Sequence, residues 1–232
     1  MTMPYESYTP PEGYSFEYLS ECASTNDEAL RRGPGSIVAA GRQSAGRGRM
    51  GRSFSSEPGG LYLSVCAALP CPAAEAPALA ALAALAACEA VGPKAQIKWP
   101  NDILLDGRKV CGILCEMKEN CLIFGFGVNV ENELPAELTQ AGRVNTARGE
   151  LLERITRRLA DILSGYPENR EALLELYARR CCTLGRMVDV TYRGMPLYGF
   201  AFAVDKHGGL MVMTQENRTV VTVYSGEATF SS

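Results

Sequence analysis

The chain has 232 residues, a formal net charge of −3 and a sequence pI of about 5.4. Hydrophobic residues make up 47% and charged residues 21%, a balance that excludes a disordered chain and fits one large globular domain, or a large one with a small appendage. The acidic balance supplies no broad basic face, so composition gives no reason to expect nucleic acid as a partner.

Residues 1–13, rich in Pro, Tyr and Gly, read as an irregular arm, and no basic segment leads there into an apolar run of the signal-peptide kind. Phe16 to Leu19 alternates as a short strand. Ser24, Thr25 and Asn26 then offer N-cap chemistry for a helix through about Arg31, which Gly33-Pro34-Gly35 ends. Ile37 to Ala40 reads as a buried strand. Gly41 to Gly60 is a long Gly/Arg/Ser loop with no hydrophobic period, and a loop of that length inside a compact domain is usually functional or disordered. Leu61 to Leu69 returns to strand. Ala73 to Val91 has the length of a membrane span, but Glu75, Pro77, Glu89 and the spacing of Leu79, Leu82 and Leu85 predict a buried amphipathic helix.

From Gln96 the pattern is short strands: Gln96–Trp99, Ile103–Leu105, Lys109–Met117 and Cys121–Asn129, with Asp106-Gly107 as a hairpin turn. Helices are predicted near Glu150–Leu163 and Glu168–Cys181. After Leu184-Gly185 four short strands follow: Met187–Tyr192, Gly199–Asp205, Leu210–Thr214 and Thr219–Tyr224. They describe a β-barrel-like unit of residues 185–232, too small to stand alone, that packs on a first domain of residues 1–184.

Nine cysteines with one histidine, His207, and no CxxC pair at zinc spacing read as reduced core residues of a cytoplasmic protein. The chemistry-bearing segments lie elsewhere. Gly46-Arg47-Gly48-Arg49-Met50-Gly51-Arg52 concentrates guanidinium groups in a glycine-rich loop, where backbone N–H groups and forked donors can meet an anion; a basic RNA-binding tract is the alternative. Lys98-Trp99-Pro100-Asn101-Asp102 puts an amide and a carboxylate at a strand end, as an ordinary Asx turn also does. A three-residue turn at 118–120 pairs Met117 with Cys121. It then sets Lys109 opposite Asn129, Cys111 opposite Gly127 and Ile113 opposite Gly125, so that two glycines clear space beside one ammonium. A slip of one residue would put the glycines and the lysine on opposite faces.

Taken together and in order, these segments resemble the biotin protein ligase family. They are Ser24-Thr25-Asn26, Gly41 to Ala45 running into GRGRMGR, KWPND, Lys109 to Leu114, and Gly125 to Asn129. The resemblance covers nearly the whole chain. It implies an α+β fold: a mixed sheet with flanking helices like the class II synthetase catalytic domain, plus a small C-terminal SH3-like barrel ending near Ser225-Gly226-Glu227. It implies that biotin's carboxylate attacks the α-phosphorus of Mg·ATP to give biotinyl-5′-AMP. A lysine of a biotin carboxyl carrier protein or domain then takes the acyl group. Ser24, Thr25 and Gln43 would hydrogen-bond biotin's ureido ring, and Asn26 and Gly46 would also contact biotin. Arg47, Gly48 and Arg49 would lie along its carboxylate and the phosphate, and Lys109 would sit at the carboxylate and α-phosphate. Gly112 would let the backbone approach. Asn101, with Arg52, Asp102 and Asn129, would hold ATP, and Trp99 and Phe54 would supply apolar walls. Phe54 stands where the family usually has tryptophan, and Met50 where it often has arginine.

The catalytic set implied is Lys109, Arg47 and Arg49, with no enzyme nucleophile and no protein-bound metal. Some family members carry an N-terminal helix-turn-helix and act as repressors. Ser24 comes too early in this chain for one, so no DNA partner is expected, nor a membrane; a homodimer is compatible. The loop Gly41–Gly60 is expected to be mobile when empty, its arginines repelling one another, and to close over the adenylate. A lipoate-type ligase and a non-catalytic biotin or biotinyl-AMP sensor are the alternatives.

Overall fold

The computed structural model describes residues 5–118, 120–166, 168–226 and 228–230. Apolar runs and turn residues divide the chain into a strand β1 (Ser15–Leu19), a helix α1 (Thr25–Arg32), and strands β2 (Ser36–Ala40) and β3 (Leu61–Ala68). Helix α2 (Ala76–Val91) follows, then strands β4 (Gln96–Lys98), β5 (Asp102–Leu105), β6 (Arg108–Lys118) and β7 (Cys121–Val128). Helices α3 (Arg148–Gly165) and α4 (Arg170–Arg180) lead to β8 (Arg186–Tyr192), β9 (Met195–Val204), β10 (Leu210–Thr214), β11 (Val220–Val223) and β12 (Ala228–Phe230).

The first seven strands form one mixed sheet in the order β1-β2-β3-β7-β6-β5-β4. Only β1 and β2 run parallel; the other neighbours are antiparallel. A second, five-stranded antiparallel sheet, β11-β10-β9-β8-β12, contains only residues 186–230. The α+β class and the small C-terminal β unit thus match the sequence expectation. Glu227, part of the expected C-terminal signature, lies outside the described residues.

Helix α2 departs from its expected character. It is apolar all round rather than amphipathic, because it is sandwiched between the large sheet and helices α3 and α4. Leu79, Leu82 and Leu85 are each at most 1% exposed, and alanines fill the remaining faces. Small side chains allow such close approach on several sides at once. The segment Ala73–Val91 has the length and hydropathy of a span, yet 67% of that window is buried inside the protein.

The turns follow local chemistry. Asp106 and Gly107 both take positive φ, 50° and 76°, as the tightest hairpin requires, and they join β5 to β6. Arg193 and Gly194 do the same at 51° and 79° between β8 and β9. That turn extends β9 back to Met195, four residues before its expected start.

The arm is irregular but anchored. Tyr5 is 7% exposed and packs edge-on against Phe16 and Tyr18, while the Tyr8 hydroxyl donates to Thr156 Oγ1 at 2.8 Å.

The inner face of the second sheet, with Val188, Val190, Ala201, Leu210 and Val212, continues the core of the first. Trp99 sits at this seam. Its backbone N–H donates to Thr183 Oγ1 at 2.9 Å, and its indole N–H donates to the Gly208 carbonyl at 3.1 Å. Thr183 is fully buried, so no water replaces it. Thr183→Val should therefore strand the Trp99 N–H and destabilise the fold by about 1–3 kcal/mol. Urea unfolding followed by emission of Trp99, the single tryptophan, measures this; an unchanged midpoint would contradict the seam's role.

Candidate active site

Strands β6 and β7 build the floor of a cavity of about 380 Å³. The register differs by one residue from the sequence expectation. Lys118 pairs with Cys121 and Met117 with Leu122, so two residues separate the strands; Glu119 of that turn lies outside the described residues. Cys111 faces Val128 and Ile113 faces Phe126, and these pairs point into the core. Gly112 instead faces Gly127, and Leu114 faces Gly125.

On a regular strand this slip would send Lys109 to the far side of the sheet. A β-bulge prevents it. Ile103 pairs with Cys111 but Leu104 pairs with Lys109, leaving Val110 as an extra residue. Val110 and Cys111 both turn inward, and Lys109 emerges on the glycine face beside Gly112. The backbone around the bulge is satisfied by residues 140–142: Lys109 N donates to the Gln140 carbonyl and Gly142 N to the Lys109 carbonyl, both at 2.8 Å. Lys109 Nζ meets Asp102 Oδ1 at 2.7 Å.

Glycine is required along this floor for what lies on it. A Cβ at Gly127 would run into the ring of Phe54, and one at Gly112 would crowd both that ring and Lys109 at 3.3–3.4 Å. A Cβ at Gly125 would collide with the Asn26 amide. Two residues of strand advance about 7 Å. The face therefore runs from Asn26 over Gly125, through the Gly112–Gly127 bed, to the Lys109 ammonium.

The Asn26 end is neutral and polar. Ser24 precedes α1 but its side chain makes no capping hydrogen bond, contrary to expectation; it lines the cavity instead. Gln43 Oε1 accepts from Thr25 N at 2.8 Å and from Thr25 Oγ1 at 3.0 Å, while Gln43 Nε2 donates to Ser56 Oγ at 2.8 Å. The Ser64 hydroxyl lies 2.7 Å from Thr25 Oγ1 and 2.6 Å from Asn26 Oδ1. These fixed partners hold the amides and hydroxyls in place before any ligand arrives.

The other end is charged. Arg49 Nη1 donates to Asn101 Oδ1 at 3.1 Å and to the Gly226 carbonyl at 3.3 Å, so the second sheet reaches the loop. Asn101 is itself pinned to β6, donating to the Ile113 carbonyl at 2.7 Å and accepting from Ile113 N at 2.9 Å. Arg47 makes a bidentate pair with Asp27, both bonds at 2.7 Å, and touches Glu116 at 3.3 Å. Arg47 in turn holds the Asp27 carboxyl below the usual aspartate range. Arg42 is paired with Glu21 and Glu57. The picture of mutually repelling arginines is thereby corrected: carboxylates from α1, β6 and the loop itself offset the charge.

Ser24, Thr25, Asn26, Gln43, Arg47, Gly48, Arg49, Arg52, Phe54, Asn101, Asp102, Lys109, Gly112 and Asn129 all come together around this cavity. Two expected site residues do not. Trp99 is 2% exposed in the seam rather than a pocket wall. Gly46 is buried beneath the loop, where a Cβ would strike the Phe54 carbonyl and Ser56; it supports the wall from behind.

Sequence reasoning missed Ser64, Glu116, and the segment carrying Asn132, Leu134, Pro135 and Leu138, which lines the mouth. A serine inside the apolar run of β3 was a readable signal. The irregular segment had none. Burial pushes the Cys115 thiol up to about 12 and raises that of Cys111, so neither is a nucleophile near neutral pH. Among the described residues no group of three or more His, Cys, Asp or Glu side chains is placed to hold a metal ion.

The tight fit over Gly125 has a measurable consequence. Gly125→Ala should drive Asn26 off Ser64 and cost about 1–3 kcal/mol by breaking a buried network. Urea unfolding reads this, and parental stability would show the network to be slack.

A model of the biotin/lipoate A/B protein ligase family matches residues 23–131, which hold the loop and the glycine floor. The biotin–[acetyl-CoA-carboxylase] ligase of Paracoccus denitrificans is 31% identical, over 88% of this chain and 96% of that protein. The bifunctional ligase/repressor of Bacillus subtilis is 34% identical over 83% of this chain, which spans only 65% of that relative's length. The solved structure of biotin protein ligase from Aquifex aeolicus in complex with biotin and ATP superposes with a TM-score of 0.77 at 26% identity, over 93% of this chain and 98% of that one. Agreement over nearly full length with the Paracoccus enzyme, together with the family model lying on the cavity itself, establishes that this chain belongs to the biotin/lipoate A/B protein ligase family.

Proposed function

We propose that the chain is a biotin protein ligase, forming biotinyl-5′-AMP from biotin and ATP and passing biotin to a lysine of a biotin carboxyl carrier protein or domain. The observation that carries this reading is the glycine-floored cavity with a neutral amide and hydroxyl cluster at one end and a lysine at the other. Biotin has the matching shape: an uncharged ureido ring, an apolar body and a carboxylate tail. Thr25, Asn26, Ser24 and Gln43 bind the ring, the body lies against the Phe54 ring that rests on Gly112 and Gly127, and Lys109 receives the tail.

Catalysis then requires two anions to meet. A carboxylate oxygen forms a bond to the α-phosphorus as the bond to the β-phosphate oxygen breaks, and pyrophosphate leaves. Lys109, Arg49 and Arg47 offset the repulsion of approach and the charge that develops on phosphorus. Asp102 keeps the Lys109 ammonium in place, and Arg52, Asn101 and Asn129 face the nucleotide. Magnesium enters as the counter-ion of ATP. In the second half the acceptor amine attacks the acyl carbon, AMP departs, and the amine's proton goes to solvent. Residues 1–184 form the catalytic domain and residues 185–232 an SH3-like appendage, a division that the separate second sheet supports. The net charge of −3 gives no basis for DNA binding by these residues.

Pyrophosphate release with ATP and biotin tests the reading; release with lipoate alone, or with neither acid, would replace it by the lipoate-type or the non-catalytic alternative. Lys109→Ala should slow adenylate formation by roughly 10²–10³-fold with the fold intact. Near-parental rates in single-turnover assays would remove Lys109 from the chemistry.

The loop is also proposed to act as a lid. Ligand phosphate replaces carboxylates as a partner for the arginines and shields the mixed anhydride from water. Amide exchange over residues 46–54 should slow more with biotinyl-AMP than with AMP alone. Exchange that is equally slow in the empty protein would dismiss closure.

A further inference from the structure

The polar end of the cavity and the arginine of the loop share one carboxylate. Glu116 Oε2 accepts from Asn26 Nδ2 at 2.7 Å and from Arg47 Nη2 at 3.3 Å. Glu116 does not line the cavity, and its side chain is 25% exposed. It stands at the meeting of three elements: β6 carries it, α1 carries Asn26, and the loop carries Arg47.

The bonds on either side extend the connection. Ser56 contacts Gln43, Gln43 accepts from the Thr25 backbone N–H, the Thr25 hydroxyl contacts Ser64, and the Ser64 hydroxyl contacts Asn26 Oδ1. Asn26 reaches Glu116, Glu116 reaches Arg47, and Arg47 closes on Asp27. One continuous chain of hydrogen bonds thus leaves the loop at Gln43 and Ser56, follows the polar end of the cavity, and returns to the same loop at Arg47. Asn26 and Ser64 are 5% and 0% exposed, so this path is shielded from water over its central part.

Resting on the ligase reading, we propose that Glu116 is a positioning residue that couples the biotin-ring end of the cavity to Arg47. Its carboxylate orients the Asn26 amide on one side. On the other it holds the guanidinium at the height of the loop where the acyl and phosphate groups meet. The two duties differ in what they need. Asn26 needs an acceptor oxygen, which glutamine also offers. Arg47 needs a negative charge, which glutamine lacks.

Glu116→Gln and Glu116→Ala separate these duties. The glutamine variant should bind biotin within about twofold of the parent by calorimetry, yet form adenylate roughly tenfold more slowly under saturating biotin and ATP. The alanine variant should share that slow step and also bind biotin roughly tenfold more weakly, having lost the Asn26 acceptor. In the empty protein, Glu116→Gln should speed amide exchange over residues 46–54 several-fold. The proposal is overturned if both variants adenylate at or above the parental rate. It is also overturned if the two variants lose binding and rate equally, in step with their thermal midpoints, because that pattern marks a merely structural role. A parent that releases no pyrophosphate with biotin and ATP would defeat the ligase reading instead. The exchange measurement would then still decide the coupling: faster exchange upholds it and unchanged exchange ends it.

Discussion

A strand offers only two faces, and a cavity that must hold both glycine floor and ammonium needs them on the same one. Gly112 and Lys109 are three residues apart, which on a regular strand places them on opposite faces. The bulge at Val110 absorbs the odd residue. Two consecutive residues, Val110 and Cys111, are then buried, and the lysine is returned to the open side. The interruption is supported from outside the sheet, since residues 140–142 bond both the N–H and the carbonyl of Lys109. The arrival of the Lys109 ammonium in the cavity, and its pairing there with Asp102, depend on this one irregularity.

The second constraint is electrostatic. A loop holding Arg47, Arg49 and Arg52 can fold against the protein only if its charge is met there. Asp27 and Glu116 meet Arg47, while Asn101 and the Gly226 carbonyl meet Arg49. These partners come from four separate parts of the chain. The Arg47 pairs with Asp27 and Glu116 lie toward the surface, where screening keeps an ion pair modest in strength, so a ligand anion can exchange with them at low cost. Deeply buried pairs would resist such exchange.

The second sheet contributes through packing as well as through that carbonyl. Gly208, at φ +81°, presses against Ala81 and the Pro77 carbonyl of α2, a contact that leaves no room for a Cβ. The same residue accepts the Trp99 indole proton. A tryptophan that sequence reasoning placed in the cavity is therefore used to join the two sheets, with its own backbone bonded to Thr183.

Much was legible in the sequence, because the signals were local. Period and turn chemistry located most strands and all of the long helices, Asp106-Gly107 marked its hairpin, and the ordered motifs gathered the residues that meet at the cavity. Elements without a local signal were not legible. The Arg193-Gly194 turn hides behind an arginine in a left-handed conformation, and β12 is three residues long. The β6–β7 register turned on a single turn residue, and the pattern of β7 fits either register because both of its faces are covered. The all-round burial of α2, the seam position of Trp99 and the carboxylates facing Arg47 depend on neighbours far away in sequence. The sequence determined which chemical groups the site would contain, since motif spacing is a property of the chain. Only the tertiary structure decided which way they point, since a bulge, a register and a distant counter-charge are set by packing between segments.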